Sequence, residues 1–143
     1  MKRSTAIIQE FIIDTAEAVL ELTQDEVGLV ALEITLLMSA MISQVTLRSP
    51  TNQRIELTVN PNEHTTRAKL RLIAPEQLQV ELPRNQGEFL QAVLLRAYRD
   101  EMAEVNHIHL EGFMNGEPMD LTFLFRVYRE PMSQKDAVKA LGD

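Results

Sequence analysis

Cysteine is absent from the 143-residue chain. That excludes disulfide scaffolds, thiolate nucleophiles and cysteine-built zinc sites, and it suits a reducing, cytoplasmic compartment. Only five glycines are present, and neither a Gly-rich phosphate loop nor a G-x-S-x-G elbow occurs, so phosphate cradling and elbow-type nucleophilic catalysis lose their usual sequence support. Positive charge is scarce as well. Fourteen Lys and Arg stand against 21 Asp and Glu, for a formal net charge of -7. Phosphate-backbone affinity depends on clustered basic side chains, so nucleic acid is not an expected partner, whereas a protein with a basic or polar surface is. Internal repeats are lacking, and repeat scaffolds with them. The remainder fits a single domain, 1–143, long enough to bury a core without staples.

Long apolar runs are reduced to one. Residues 27–45, "VGLVALEITLLMSAMISQV", hold Glu33 as their only formal charge. A central carboxylate is costly in hydrocarbon, and Thr35, Ser39, Ser43 and Gln44 dilute the run, so no membrane span is expected. A buried central helix is expected instead, with a strand pair as the alternative. Thr23 and Glu26 have capping-box spacing at its start. Ala31, Thr35, Ser39 and Ser43 recur every four residues, a small-residue seam where a second helix could approach. The opening "MKRSTAIIQEFIID" has a basic start, but Gln9, Glu10 and Asp14 break the apolar stretch that a signal peptide needs. Ile8, Phe11, Ile12, Val19 and Leu22 can share one helical face, so a first amphipathic helix is expected there.

Further on, the period shortens to two. Ile55, Leu57 and Val59 alternate with Arg54, Glu56 and Thr58; Ala68, Leu70 and Leu72 with Arg67, Lys69 and Arg71; Leu78, Val80 and Leu82 with Gln79 and Glu81. Turn residues around Pro61–His64 and Ala74–Gln77 separate the runs, which predicts a three-stranded antiparallel meander. A four-residue loop would set Thr58 opposite Arg67, Glu56 opposite Lys69 and Arg54 opposite Arg71, with Glu81 beside Arg71. Such a face is expected to be solvated and laced with weak ion pairs, with a phosphate or RNA site as the alternative. Helical spacing then returns over residues 84–105. Phe89, Leu90, Val93, Leu94, Ala97, Met102 and Val105 make its stripe, Asn85 and Glu88 resemble a cap, and Tyr98 sits at the border.

The segment "NHIHLEGFMNGEP", residues 106–118, is the most informative. Asn115-Gly116 suits the centre of a type I′ turn, which would pair Met114 with Glu117, Leu110 with Leu121 and Ile108 with Phe123 in a hairpin over 107–128. Ile108, Leu110, Met119, Leu121, Phe123, Phe125 and Val127 then share a core face. The other face carries His107, His109, Glu111, Asp120, Thr122 and Arg126. Glu111 would lie opposite Asp120, a like-charge pair eased by a cation, by Arg126 or by a protonated histidine. His107, His109, Glu111 and Asp120 are ligand types for zinc, iron or manganese, and with Arg126 they are the candidate site. Two-residue spacing is common, and no stronger motif accompanies it, so a plain surface is expected there, without metal or cofactor. The tail 131–143, from Pro131 with Ser133 and Asp136 as a cap for a short last helix, is expected to dock on a partner or to fray.

The expected fold is α+β: two N-terminal helices, a three-stranded antiparallel meander, a helix, the hairpin and a short C-terminal helix, with helices packed on one face of an antiparallel sheet. Such a sheet leaves a face open, and Leu124 and Tyr128 fall on it, which makes a homodimer the expected assembly. From the first strand onward, the element order, size and acidity resemble the small secretion chaperones of type III systems. The resemblance implies a dimer that holds unfolded segments of another protein; it covers about the last two-thirds of the chain, and the apolar segment 27–45 departs from it. The leading functional expectation is therefore a non-enzymatic protein-binding module: a chaperone, adaptor or immunity-type inhibitor. The alternatives are a metal-dependent or acid-base enzyme on the polar hairpin face, and a small-ligand sensor with its pocket between helices and sheet.

Overall fold

A computed structural model describes residues 3–14, 17–62, 67–99 and 107–126. The chain begins with strands rather than the expected helix: β1 (Arg3–Ile7), β2 (Glu10–Ile13) and β3 (Glu17–Thr23). In β3 the buried residues are Ala18, Leu20 and Leu22, while Glu17, Val19 and Glu21 are half-buried. That is a period of two. The same letters also fit a broad helical stripe, and pairing with distant strands decides between them: Leu20 and Leu22 register with Phe123 and Phe125 in a parallel ladder.

Helix α1 (Gln24–Met38) starts at the expected cap. Thr23 Oγ1 accepts from the Glu26 backbone N–H at 3.3 Å, and Glu26 Oε1 accepts from the Thr23 N–H at 2.9 Å. The other carboxylate oxygen of Glu26 accepts from the Gln9 N–H at 2.9 Å, so one side chain caps the helix and holds the bend between β1 and β2. The apolar run 27–45 does not stay helical to its end. Ala40 adopts a left-handed φ of 60°, the Met41 N–H bonds back to the Leu36 carbonyl at 3.0 Å, and β4 (Gln44–Arg48) follows. Helix and strand thus divide a segment for which they were alternatives. No helix among the described residues is long and apolar enough to cross a membrane.

The expected meander is replaced by a different order. Strands β5 (Arg54–Asn60), β6 (Ala68–Ala74) and β7 (Gln77–Pro83) lie as β5-β7-β6, with β5 and β7 parallel and β6 antiparallel to β7. The predicted partners of Arg54, Glu56 and Thr58 are therefore displaced: they register with Gln77, Gln79 and Glu81. The reason is non-local. β5 lies inside the sheet between β4 and β7, and with α1 and α2 packed over it Ile55 and Leu57 are fully buried, a cover that an isolated hairpin lacks. Fold expectations drawn from the secretion-chaperone resemblance lapse along with the meander and the helical start.

Helix α2 (Arg84–Tyr98) follows β7 directly. Pro83, not Asn85, occupies its N-cap position and makes no side-chain cap bond, while Glu88 bonds Arg84 at 3.0 Å. The two helices run antiparallel. The Tyr98 ring packs against Gly28, Gln91 Nε2 donates to Thr35 Oγ1 at 3.3 Å, and Met38 lies over Gly87. Of the expected seam, Thr35 meets α2, whereas Ser39 is the C-cap of α1 and Ser43 lies beyond the helix; Gly28, outside that seam, gives the room for the Tyr98 ring.

Strands β8 (His107–Leu110), β9 (Gly112–Met114), β10 (Glu117–Pro118) and β11 (Asp120–Arg126) complete the fold. The turn is as expected, with Asn115 and Gly116 at φ 53° and 81°, and the pairs Met114–Glu117, Leu110–Leu121 and Ile108–Phe123 all form. Yet the hairpin is shared between two mixed sheets. One has seven strands in the order β1-β4-β5-β7-β6-β9-β10, the other four in the order β2-β3-β11-β8. Chain passes from one sheet to the other at Ile8–Gln9, Glu111 and Met119. Parallel pairs join β1 to β4, β3 to β11, β5 to β7 and β6 to β9, so neither sheet is the antiparallel one expected. α1 packs against β1 and β3, and α2 against β5 and β7. The core they enclose includes Phe123, Leu20, Ile34, Leu57, Leu78 and Leu90, each fully buried. Sequence expectations at His64, Met102, Val105, Val127, Tyr128 and the tail 131–143 lie outside the described residues.

Candidate functional site

Alternation along β8 sends Ile108 and Leu110 into the core and leaves His107 and His109 exposed on the same side. Their ring centroids lie 5.0 Å apart with planes inclined by 72°. His109 Nδ1 is 2.7 Å from Thr122 Oγ1 on the adjacent strand, and that hydroxyl lies 3.2 Å from Glu17 Oε2. Thr122 is only 2% exposed. A carboxylate accepts only, so the single hydroxyl proton goes to Glu17 and the Thr122 oxygen must accept from His109. The chain thereby selects the Nδ1–H form of the ring and leaves Nε2 as the outward nitrogen.

Glu111 and Asp120 do not join this cluster as a facing pair. The β8–β11 ladder stops at Leu110–Leu121, and Asp120 registers instead with Glu17 of β3. Glu111 lies at the crossover, its carbonyl accepting from the Ala68 N–H at 2.8 Å and from Gln86 Nε2 at 3.2 Å. Glu111 and Asp120 line a cavity of about 280 Å³ with Arg67, whose guanidinium carbon sits 4.5 Å from the centre of the Phe113 ring. The backbone of Arg126 registers with Thr23. No three His, Asp or Glu side chains gather at metal-holding distance among the described residues.

Two members of the site were not singled out from sequence. Thr122 could be placed on the polar face but showed no sign of its bonds, and Glu17 arrives from a segment read as helix. The alternation Glu17-Ala18-Val19-Leu20-Glu21-Leu22 was the available signal. Phe89 is a third case: expected in the buried stripe, it is 53% exposed. With Asn85 and Gln86 it forms one wall of a groove of about 280 Å³, opposite His109, Leu110 and Glu111. Along this groove β8 has hydrogen-bonded strand pairing with β11 alone among the described residues.

A larger concavity of about 330 Å³ lies on the seven-stranded sheet, bordered by Glu56, Lys69, Arg71, Gln79 and Glu81. Its charges answer one another: Lys69 and Glu81 are 3.9 Å apart, Glu56 meets Arg54 at 3.6 Å, and Gln79 Nε2 donates to Glu56 at 3.2 Å. The Lys69–Glu81 pair is exposed and contributes little. In comparisons with known proteins, the chain matches no family model and no curated protein at a significant level.

Proposed function

We propose that the protein is a non-enzymatic binding module for another protein, of the chaperone, adaptor or immunity-inhibitor kind, and that it takes an extended partner segment into the groove between β8 and α2. One observation carries the reading: a strand hydrogen-bonded on one side alone among the described residues runs beside an exposed aromatic side chain, Phe89. A peptide added at such an edge gains main-chain hydrogen bonds, and its alternate side chains fall toward the groove, where an aromatic anchor supplies apolar contact. The net charge of -7 favours a basic partner and speeds encounter. In this reading the module works in the cytoplasm, and a second copy of the chain is one of the proteins that the edge can take.

Capture from native cells, with wild-type protein and Phe89→Asp as parallel baits, tests the proposal. A partner in stoichiometric amount, lost with Phe89→Asp while the variant keeps its melting temperature, supports it. Repeated captures without such a partner, together with a monomeric chain in light scattering, would sink it.

A further inference from the structure

The solvent side of β8 has chemistry beyond main-chain pairing, although its His109 also borders the groove proposed for the partner segment. His107 and His109 stand two residues apart on one face, and their rings are 5.0 Å apart centre to centre. At that spacing, side-chain rotation can bring one nitrogen of each ring to a common ion at the ~2.0–2.1 Å of a zinc–imidazole bond. The His109 ring is already oriented for this. Its Nδ1–H is engaged by Thr122 Oγ1 at 2.7 Å, and the Thr122 hydroxyl is turned by Glu17 at 3.2 Å. A ligating histidine characteristically donates its second ring N–H to a carboxylate, a backbone carbonyl or a water, which holds the tautomer and raises the basicity of the nitrogen facing the metal. Here a buried hydroxyl is placed between ring and carboxylate.

We propose that His107 and His109 form a two-histidine chelate for a divalent transition ion of the zinc type, with Thr122 and Glu17 as positioning residues. Among the described residues no third His, Asp or Glu gathers with the pair, so the proposed chelate is built on these two rings. Such a site is open and weaker than a closed four-ligand structural zinc site. It needs no redox or proton-transfer step beyond release of any proton held by the ligating nitrogens.

The test uses full-length protein without a histidine tag, titrated with ZnCl₂ in a calorimeter and followed by long-range ¹H–¹⁵N spectra of the imidazoles. Before zinc, the spectra should report His109 in the Nδ1–H form. With zinc, the His107 and His109 resonances should both move, at one ion per chain. His107→Ala and His109→Ala should each weaken binding by at least about tenfold, Thr122→Val by about tenfold, and His64→Ala not at all. Thr122→Val should also release the tautomer preference of His109, a change that lost packing alone would not produce. Any variant with altered circular dichroism is set aside, and the wild-type spectra then decide. Failure of zinc to bind at up to millimolar concentration, binding that survives His109→Ala, or an Nε2–H tautomer at His109 in the zinc-free protein would each overturn the assignment.

Discussion

Gly112→Ala probes the place where the hairpin leaves one sheet for the other. Gly112 does not need a left-handed backbone; it needs room. A methyl group there would collide with Leu70 Cδ1 and lie 3.0 Å from the Met119 carbonyl oxygen and 3.1 Å from that of Ala68. Leu70 can shift, but the two carbonyls belong to backbone that is itself tied down. The Met119 N–H donates to the Gly112 carbonyl at 2.9 Å, and the Ala68 N–H to the Glu111 carbonyl at 2.8 Å. Relief therefore requires loosening the ladder on both sides, an overpacking penalty of about 1–3 kcal/mol. For a chain this long the unfolding entropy is about 0.3 kcal/mol per kelvin, so the melting temperature should fall by about 3–10 °C. Thermal unfolding followed by circular dichroism measures it. Gly116→Ala is the contrast: nothing lies within 4 Å of the added methyl, and only the φ of 81° resists, for about 1 kcal/mol. A Gly112→Ala protein that melts within about 1 °C of wild type would refute the close crossover, and with it the division of the hairpin between two sheets.

Other consequences can be measured in the same way. Glu26→Ala removes acceptors for both the Thr23 and the Gln9 N–H groups, whereas Thr23→Ala removes only the cap to Glu26. The first should cost about 2 kcal/mol and the second about 1 kcal/mol in urea unfolding, and equal losses would argue that the Gln9 bond contributes nothing. Glu33 is 5% exposed, and its Oε2 meets no hydrogen-bonding partner among the described residues. Glu33→Leu should therefore be neutral or raise the denaturant midpoint with an unchanged slope, and a loss above about 1 kcal/mol would reveal a needed partner for that carboxyl group. Phe123→Ala empties a fully buried position between β3 and β8 and should cost about 3–5 kcal/mol, enough to shift the midpoint far more than any surface change.

Local physics accounts for the parts that could be read in advance. Asn115-Gly116 adopts the positive φ angles that a two-residue hairpin turn demands, and side chains alternate by two, so the pairs Leu110–Leu121 and Ile108–Phe123 follow from the turn alone. Thr23 and Glu26 need only each other to mark the start of α1. His107 and His109 share a face for the same reason of period. Where more than one local state fits the letters, distant pairing decides. Residues 17–23 satisfy a helical stripe and a strand equally, and the partner that chooses the strand, β11, lies about a hundred residues away in sequence. The β5–β6 segment looked like a hairpin because its strands are close in sequence, yet β7 inserts between them in parallel with β5.

The site divides along the same line. Turn chemistry and strand period placed the histidines at the surface and Phe123 in the core, because each depends on a few neighbouring residues. Which side chains meet His109 depended on two ladders closing around β11, since Glu17 reaches Thr122 only when β3 lies beside it. Contacts of that range cost chain entropy that no short segment can recover, so they form only when the whole set of strands closes around a common core.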